Sequence, residues 1–346
     1  LAVLALALPG CESVPYYSQA VAGELALLAA ARPVPEVIAD PATPADIRAR
    51  LQLAVRIRAF ASDRLSLPDN ASYTRYTDLH RESAVWNVFA TPPFSLELHT
   101  WCYPFFGCAG YRGYFERAGA DAEAAILHAQ GLDAAVAPVP AYSTLGWFAD
   151  PLLSTFIRWP EPELARLIFH ELAHQIIYVA DDTRFNESFA TAVEQVGLER
   201  WVASRHDAAL TAEFAQYRER HADFLALMAQ TRGELEALYG SAGRTPAQMQ
   251  GAKARVFDDL RDRYRAVRDG RWGGYRGFDA FFDAPWNNAR VAALSAYQDE
   301  VPAFNALLAR ERGSLPAFFT EVIKLGQLHP DMRARALRGL ADTTAS

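Results

Sequence analysis

Glu161-Pro162-Glu163-Leu164-Ala165-Arg166-Leu167-Ile168-Phe169-His170-Glu171-Leu172-Ala173-His174-Gln175-Ile176 is the stretch on which the reading of this chain turns. Pro160 and Pro162, with Glu161 and Glu163, suit the first turn of a helix. A missing N–H costs nothing there, and acidic side chains meet the positive end of the helix dipole. Leu164, Leu167, Ile168, Leu172 and Ile176 then recur at helical spacing as one apolar stripe. Positions four apart differ by only ~40° around the axis, so His170 and His174 point to one side and can share one ion. Glu171 projects beside that site without being forced into the coordination shell. Two neutral imidazoles with an adjacent carboxylate suit the activation of a water at a metal.

The H-E-x-x-H pattern arises by chance in roughly one chain in a hundred of this size, so a third ligand is required. Beyond a turn at Asp181-Asp182-Thr183 the chain reads Asn186-Glu187-Ser188-Phe189-Ala190, followed by Glu194. This segment resembles the N-E-x-x-A signature of gluzincin metallopeptidases, in which the Glu after Asn is the third zinc ligand on a second helix. Glu194, seven residues on, matches a position where such enzymes carry a Glu that supports a ligand. Two helical turns separate Glu187 from Glu194 on one face, so one can ligate while the other hydrogen-bonds an imidazole. The spacing departs from the family: twelve residues lie between His174 and Glu187, whereas nineteen, the thermolysin-like spacing, lie before Glu194. Both remain candidate ligands, with Glu187 preferred because Asn186 and Ala190 match locally.

The shortened pattern, with Trp101-Cys102, Tyr111-Arg112-Gly113-Tyr114-Phe115, Tyr142 to Trp147 and Asn287-Asn288-Ala289-Arg290, resembles a family of predicted bacterial aminopeptidase lipoproteins. The likeness runs from Tyr16-Tyr17 to the C-terminal helices. It implies a zinc (Zn2+) peptidase acting on a peptide substrate, with His170, His174 and Glu187 on the metal and Glu171 as the base. The same carboxylate would pass the proton to the leaving amine. The tetrahedral oxyanion also wants a donor from outside the metal helices, and Tyr111, Tyr114, Tyr142, Tyr297 and Arg290 are the candidates. The segment Tyr142 to Trp147 could be an edge strand against which a peptide lies. An aminopeptidase must anchor a free amine. Asp150, Asp181 and Asp182 are candidates, but the G-x-M-E-N segment that does this in related enzymes is absent. The exopeptidase assignment therefore rests on resemblance. A zinc endopeptidase, a catalytically silent zinc-stabilised scaffold and a substrate-binding envelope lipoprotein are the alternatives. Retention of Glu171 favours an enzyme, since a scaffold needs only ligands.

The 346 residues carry a net charge of −7, and basic residues are interspersed with acids, as from Phe257 to Arg271. That excludes a phosphate-tracking nucleic-acid surface. The opening LAVLALALPG ends at Cys11 and reads as the tail of a signal peptide, with Leu8-Pro9-Gly10-Cys11 resembling the bacterial lipobox. Lipidation of Cys11 would leave the membrane touched through that anchor only, and Glu12 points to the outer membrane, facing the periplasm. No later stretch holds the ~18 apolar residues that span a bilayer. Cys102 and Cys108 could pair across a Pro/Gly turn in an oxidising periplasm or remain two buried thiols. His80, His99, His128, His206, His221 and His329 are scattered and receive no role.

The expected class is α+β, predominantly α: a zincin-like metallopeptidase with a small sheet before the H-E-x-x-H helix and a helical C-terminal part. Residues 1–10 are signal-peptide tail. Residues 11–346 form one metallopeptidase domain, with helices plus the small sheet over 11–160 and the metal helices and helical part over 161–346. Helices are expected at Val21 to Ala31, Pro44 to Ser62 and Ala118 to Gln130. Strands are expected between Leu67 and Tyr114, including Ala84 to Ala90, and at Tyr142 to Phe148 as a strand or extended loop. The Gly- and aromatic-rich stretch from Gly270 to Ala284 is long enough for a functional loop.

Overall fold

A computed structural model of the chain describes residues 13–103, 107–141, 144, 146–295 and 300–342. The N-terminal part runs α1 (Ser13–Ala29), β1 (Arg32–Pro33), α2 (Val34–Ala39), α3 (Ala45–Leu65), β2 (Arg75–Thr77), β3 (Val85–Thr91), β4 (Trp101–Tyr103), β5 (Gly107–Ala109), β6 (Arg112–Tyr114), α4 (Arg117–Ala129), β7 (Asp133–Val139) and β8 (Leu152–Leu153). Helices then follow one another: α5 (Glu161–Ala173), α6 (Thr183–Arg205), α7 (Ala208–Tyr239), α8 (Pro246–Asp269), α9 (Asp279–Asp283), α10 (Asn288–Ser295), α11 (Val301–Arg310), α12 (Leu315–Gly326) and α13 (Pro330–Asp342). The chain is α+β and mostly helical.

The strands form small sheets in the orders β1-β2-β8, β6-β3-β7 and β4-β5. In the second, β3 runs antiparallel to both neighbours, Trp86 facing Tyr114 on one side and Pro138 on the other. Its inward residues Val88 and Ala90 pack with Ala120, Ala124 and Leu127 of α4, and Ala134 completes the cluster. Small side chains at these positions let the helix lie close to the sheet. Cys102 and Cys108 face each other in the β4-β5 hairpin and are disulfide-bonded, which settles the pairing the sequence left open.

The main core gathers α3, α5 and α6 with α11 to α13. Leu164, Ile168 and Leu172 of α5 are fully buried, as the apolar stripe demands. Phe185 and Phe189 of α6 pack edge-on and tilted against Phe304, with Phe318 and Phe319 beyond Phe189. Gly197 permits the close contact between α6 and its neighbours, because a Cβ there would stand 2.9 Å from the Phe169 ring and 3.0 Å from Leu65. The start of α6 is fixed by Asp182, whose side chain accepts the Phe185 N–H at 3.0 Å, satisfying one orphan donor.

Two stretches differ from the expectation. The stretch Gly270 to Ala284 is not an open loop: Trp272, Phe282 and Trp286 are buried with Phe224, Phe257 and Tyr264 in a second cluster on α7 and α8. Trp272 and Phe282 belong to that core, with Phe278 and Phe281 partly buried against it, whereas Tyr275 is exposed. The described positions of Tyr142 to Phe148, residue 144 and residues 146–148, form a turn rather than a strand. The outer strand of the sheet is instead β7, seven residues rich in Ala that the sequence did not mark, held by a full ladder to β3. Among the described residues no helix is long and apolar enough to cross a membrane. Cys11 and its lipobox lie outside the described residues.

Candidate metal centre

The helix α5 ends at Ala173, but His174 keeps helical dihedrals, φ −58° and ψ −20°. His170 and His174 therefore stay one turn apart on the same face, and both are buried. Their Nε2 atoms are 3.2 Å apart. Glu187, near the start of α6, brings Oε2 to 3.3 Å from His170 Nε2 and 3.6 Å from His174 Nε2. Donors placed tetrahedrally at zinc's usual 2.0–2.2 Å stand about 3.3–3.6 Å from one another. The three atoms thus have the mutual spacing of ligands around one zinc ion, and two imidazoles with a carboxylate are a suitable donor set. Among the described residues these are a group of three potential ligands whose donor atoms all lie within 4.8 Å of one another.

Glu194 lies elsewhere in the arrangement. Its Oε2 is 2.9 Å from His170 Nδ1, on the ring edge turned away from Glu187, and accepts from Arg166 Nη1 at 3.1 Å. A carboxylate accepting from Nδ1–H leaves the Nε2 lone pair free to ligate, the usual support for a metal-bound histidine. Asn186 holds the loop between the metal helices: its side chain accepts the Val179 N–H and donates to the Val179 carbonyl, each at 2.8 Å. This fixes the register at which Glu187 arrives. His174 Nδ1 is buried without a hydrogen-bond partner among the described residues.

The electrostatics agree with a site short of positive charge. Burial disfavours the His170 imidazolium, yet the hydrogen bonds it donates to the carboxylates of Glu187 and Glu194 outweigh it and push its pKa up to about 10. Burial also opposes ionisation of Glu187, but His174 and His170 bring its pKa down to about 2. Glu194 is lowered as well, burial being overcome by Arg166 and His170. A divalent cation would take over the role of the His170 proton.

Residues 15–337 match the family model described as "Putative aminopeptidase". The chain belongs to this aminopeptidase family. Neither a curated protein nor a solved structure matches it. Membership points to peptide hydrolysis as the reaction class. Within this member of the family, Glu171 is half-buried on α5 between the paired histidines.

The other candidates are distributed differently. Tyr111 packs against Phe89 of the sheet at 6.0 Å, and Tyr114 against Tyr16 at 5.6 Å. Arg290 donates to the carbonyls of Phe281 and Pro285 and lies over the Trp286 ring at 4.8 Å. These are packing contacts within the sheet and around Phe281 and Trp286. Tyr142 and Tyr297 lie outside the described residues. Of the acids considered as amine anchors, Asp182 caps α6 and pairs with Arg333 at 2.7 Å. Asp150 accepts from Thr144, and Asp181, at φ +64°, accepts the Cys108 N–H. Each has a structural occupation.

Two residues escaped the sequence reading. Arg166 is one turn before His170 on the same face of α5, a spacing that was available to be read. Tyr73 gave no such signal. It is buried at φ +64°, a costly conformation for a bulky residue. Its hydroxyl has no hydrogen-bond partner among the described residues, and burial, then Glu171 and Asp150, raise its pKa far above normal. The next residue back, Ser72, binds the Gln175 side chain at 3.1 Å, which places this loop against the end of the metal helix.

Proposed function

We propose that the chain is a zinc-dependent aminopeptidase in which His170, His174 and Glu187 hold the metal. The observation that carries this reading is the triangle of 3.2, 3.3 and 3.6 Å between their donor atoms, formed beside Glu171. Bound there, zinc would supply Lewis-acid polarisation of the peptide carbonyl and of the attacking water. Glu171 takes the proton from that water at its carboxylate and returns it to the nitrogen of the leaving amine. Glu194, backed by Arg166, keeps the His170 ring in the orientation and tautomer that ligation needs. Tyr73, a buried phenol in the field of Glu171, joins Tyr111, Tyr114, Tyr142, Tyr297 and Arg290 as a candidate donor to the oxyanion. The sheet and the α5–α6 pair together form a zincin-like domain over residues 11–346. Lipidation at Cys11 would hold it at the outer membrane, facing the periplasm.

The test uses purified chain with one equivalent of zinc and two matched peptide panels, one with free and one with acetylated N-termini. Release of N-terminal residues from free peptides alone is expected. Cleavage of both panels equally would make it an endopeptidase, and zinc binding with no cleavage would leave a metal-stabilised scaffold. Glu171→Gln, with zinc retained, should lower turnover by about 10²- to 10⁴-fold, the loss typical of a missing general base. A variant within about tenfold of wild type would remove Glu171 from the mechanism.

A further inference from the structure

The turn that precedes α5 is tied down more firmly than a connecting loop requires. Asp150, 2% exposed, accepts from Thr144 Oγ1 at 2.7 Å and from the Thr144 N–H at 3.1 Å. Thr144 Oγ1 accepts the Phe148 N–H at 3.0 Å, and the Thr144 carbonyl accepts the Trp147 N–H at the same distance. Gly146 takes φ +83°, open to glycine at no steric cost. Its backbone lies against Gln175: a Cβ added there would meet that side chain at 3.4 Å. Gln175 directly follows His174 and is held in turn by Asn70 at 2.7 Å and Ser72 at 3.1 Å. The turn is thereby fixed to the end of the metal helix.

What this rigid turn presents to solvent is apolar. Trp147 is 77% exposed and Phe148 52% exposed. Two adjacent aromatics held outward by a polar staple mark an interaction site rather than a packing leftover. Tyr178, four residues after His174 and in the field of Glu187 and Asp181, is also exposed.

We propose that Trp147 and Phe148 form a subsite beside the metal cluster that takes a bulky apolar side chain flanking the scissile bond of a peptide. The subsite rests on the peptidase reading and names its substrate class. A lipid surface is the less suitable occupant: Asp150 is the one charged residue between Ala141 and Asp150. Membrane-seeking aromatics are normally accompanied by Lys or Arg.

The experiment compares wild type with a Trp147→Ala/Phe148→Ala double variant on free peptides that differ only in carrying Phe or Ala at the residue released. Wild type should prefer Phe by about 10- to 100-fold in kcat/KM, chiefly through KM, the range expected for one apolar pocket. The double variant should reduce the preference to about threefold or less, and Trp147→Phe should restore most of it. A second readout is independent of turnover: binding of the same two peptides to zinc-loaded Glu171→Gln, with and without the double substitution, by calorimetry. Tighter binding of the Phe peptide that disappears with the rings supports the subsite even if hydrolysis fails, and then only the peptidase reading falls. An unchanged preference in the double variant overturns the subsite. So does ring-dependent sedimentation with phosphatidylethanolamine–phosphatidylglycerol vesicles while peptide preference stays put.

Discussion

The α5–α6 pair and the aromatic wing of α7 to α9 are both helical and both well buried, yet they are filled in opposite ways. Between α5 and α6, Arg166, Glu194, His170 and Glu187 follow one another in a chain of ionic contacts, each within 3.3 Å of the next. In the wing, Tyr264 stacks on Phe282 at 3.9 Å between Trp272 and Trp286, and its hydroxyl donates outward to Asp279. Burying charge is costly unless every member is partnered, so a protein builds such a chain where it does chemistry. Burying rings stabilises through their area, provided that Tyr and Trp find a partner for their polar atom, as Tyr264 does in Asp279 and Trp272 in Asp223. Isolated buried pairs such as Lys253 with Asp133 occur elsewhere, so what sets the α5–α6 pair apart is a continuous chain of buried ionic contacts that includes two histidines.

Substitution of a metal-binding residue should have the largest effect. Glu187→Ala removes one ligand of three, and zinc affinity should fall by about 10³- to 10⁴-fold, measured by competition with a chromogenic chelator. The wing should respond in the opposite sense. Phe282→Ala should cost about 3–5 kcal/mol in denaturant unfolding while leaving zinc affinity as it was, because a core ring is lost and no ligand moves. Loss of zinc binding in a folded Phe282→Ala chain would show that the wing supports the site.

Smaller effects sharpen the boundary of the charged chain. Glu194→Gln should weaken zinc by about 10- to 100-fold, and Arg166→Met by about tenfold, since both act through the His170 ring. If Glu194→Gln outweighed Glu187→Ala, the ligand would be Glu194. The pH dependence follows from His170. Its pKa of about 10 in the metal-free chain lies above the ordinary 6.5, so between these values zinc must displace a proton. Affinity should rise by about tenfold per pH unit over that window. Calorimetry in buffers of differing ionisation enthalpy should register release of about one proton per zinc, and no buffer dependence would refute the assigned protonation.

How far the sequence anticipates this depends on how local each signal is. The α5 stripe and the pair His170/His174 are set by spacing within one helix, and they were readable. Glu187 and Glu194 were separable only by a resemblance, because both lie on one face of α6; the distances divide their positions. Arg166 carries the same four-residue spacing before His170, but an Arg there says nothing by itself about its partner Glu194 on another helix. Other features depend on distant partners. Asp133–Val139 has too much Ala and Pro to announce a strand, and it becomes one through its ladder to β3. Tyr142 to Phe148 reads as a strand or extended loop, but at its described positions the bond from Thr144 to Asp150 belongs to a turn. Gly270 to Ala284 looked like a working loop because Gly and aromatics are common to binding loops and to aromatic cores alike. The positive φ of Tyr73 has no trace in the residues around it.

The claim that α5 and α6 build a metal centre is tested most directly by anomalous diffraction at the zinc edge, on crystals of the chain grown with one equivalent of zinc. The expected result is a single anomalous peak bonded to His170 Nε2, His174 Nε2 and a Glu187 oxygen at about 2.0–2.2 Å, with Glu194 on His170 Nδ1 and outside the coordination shell. A peak elsewhere, a peak ligated by Glu194, or none at the three converging atoms would contradict the account.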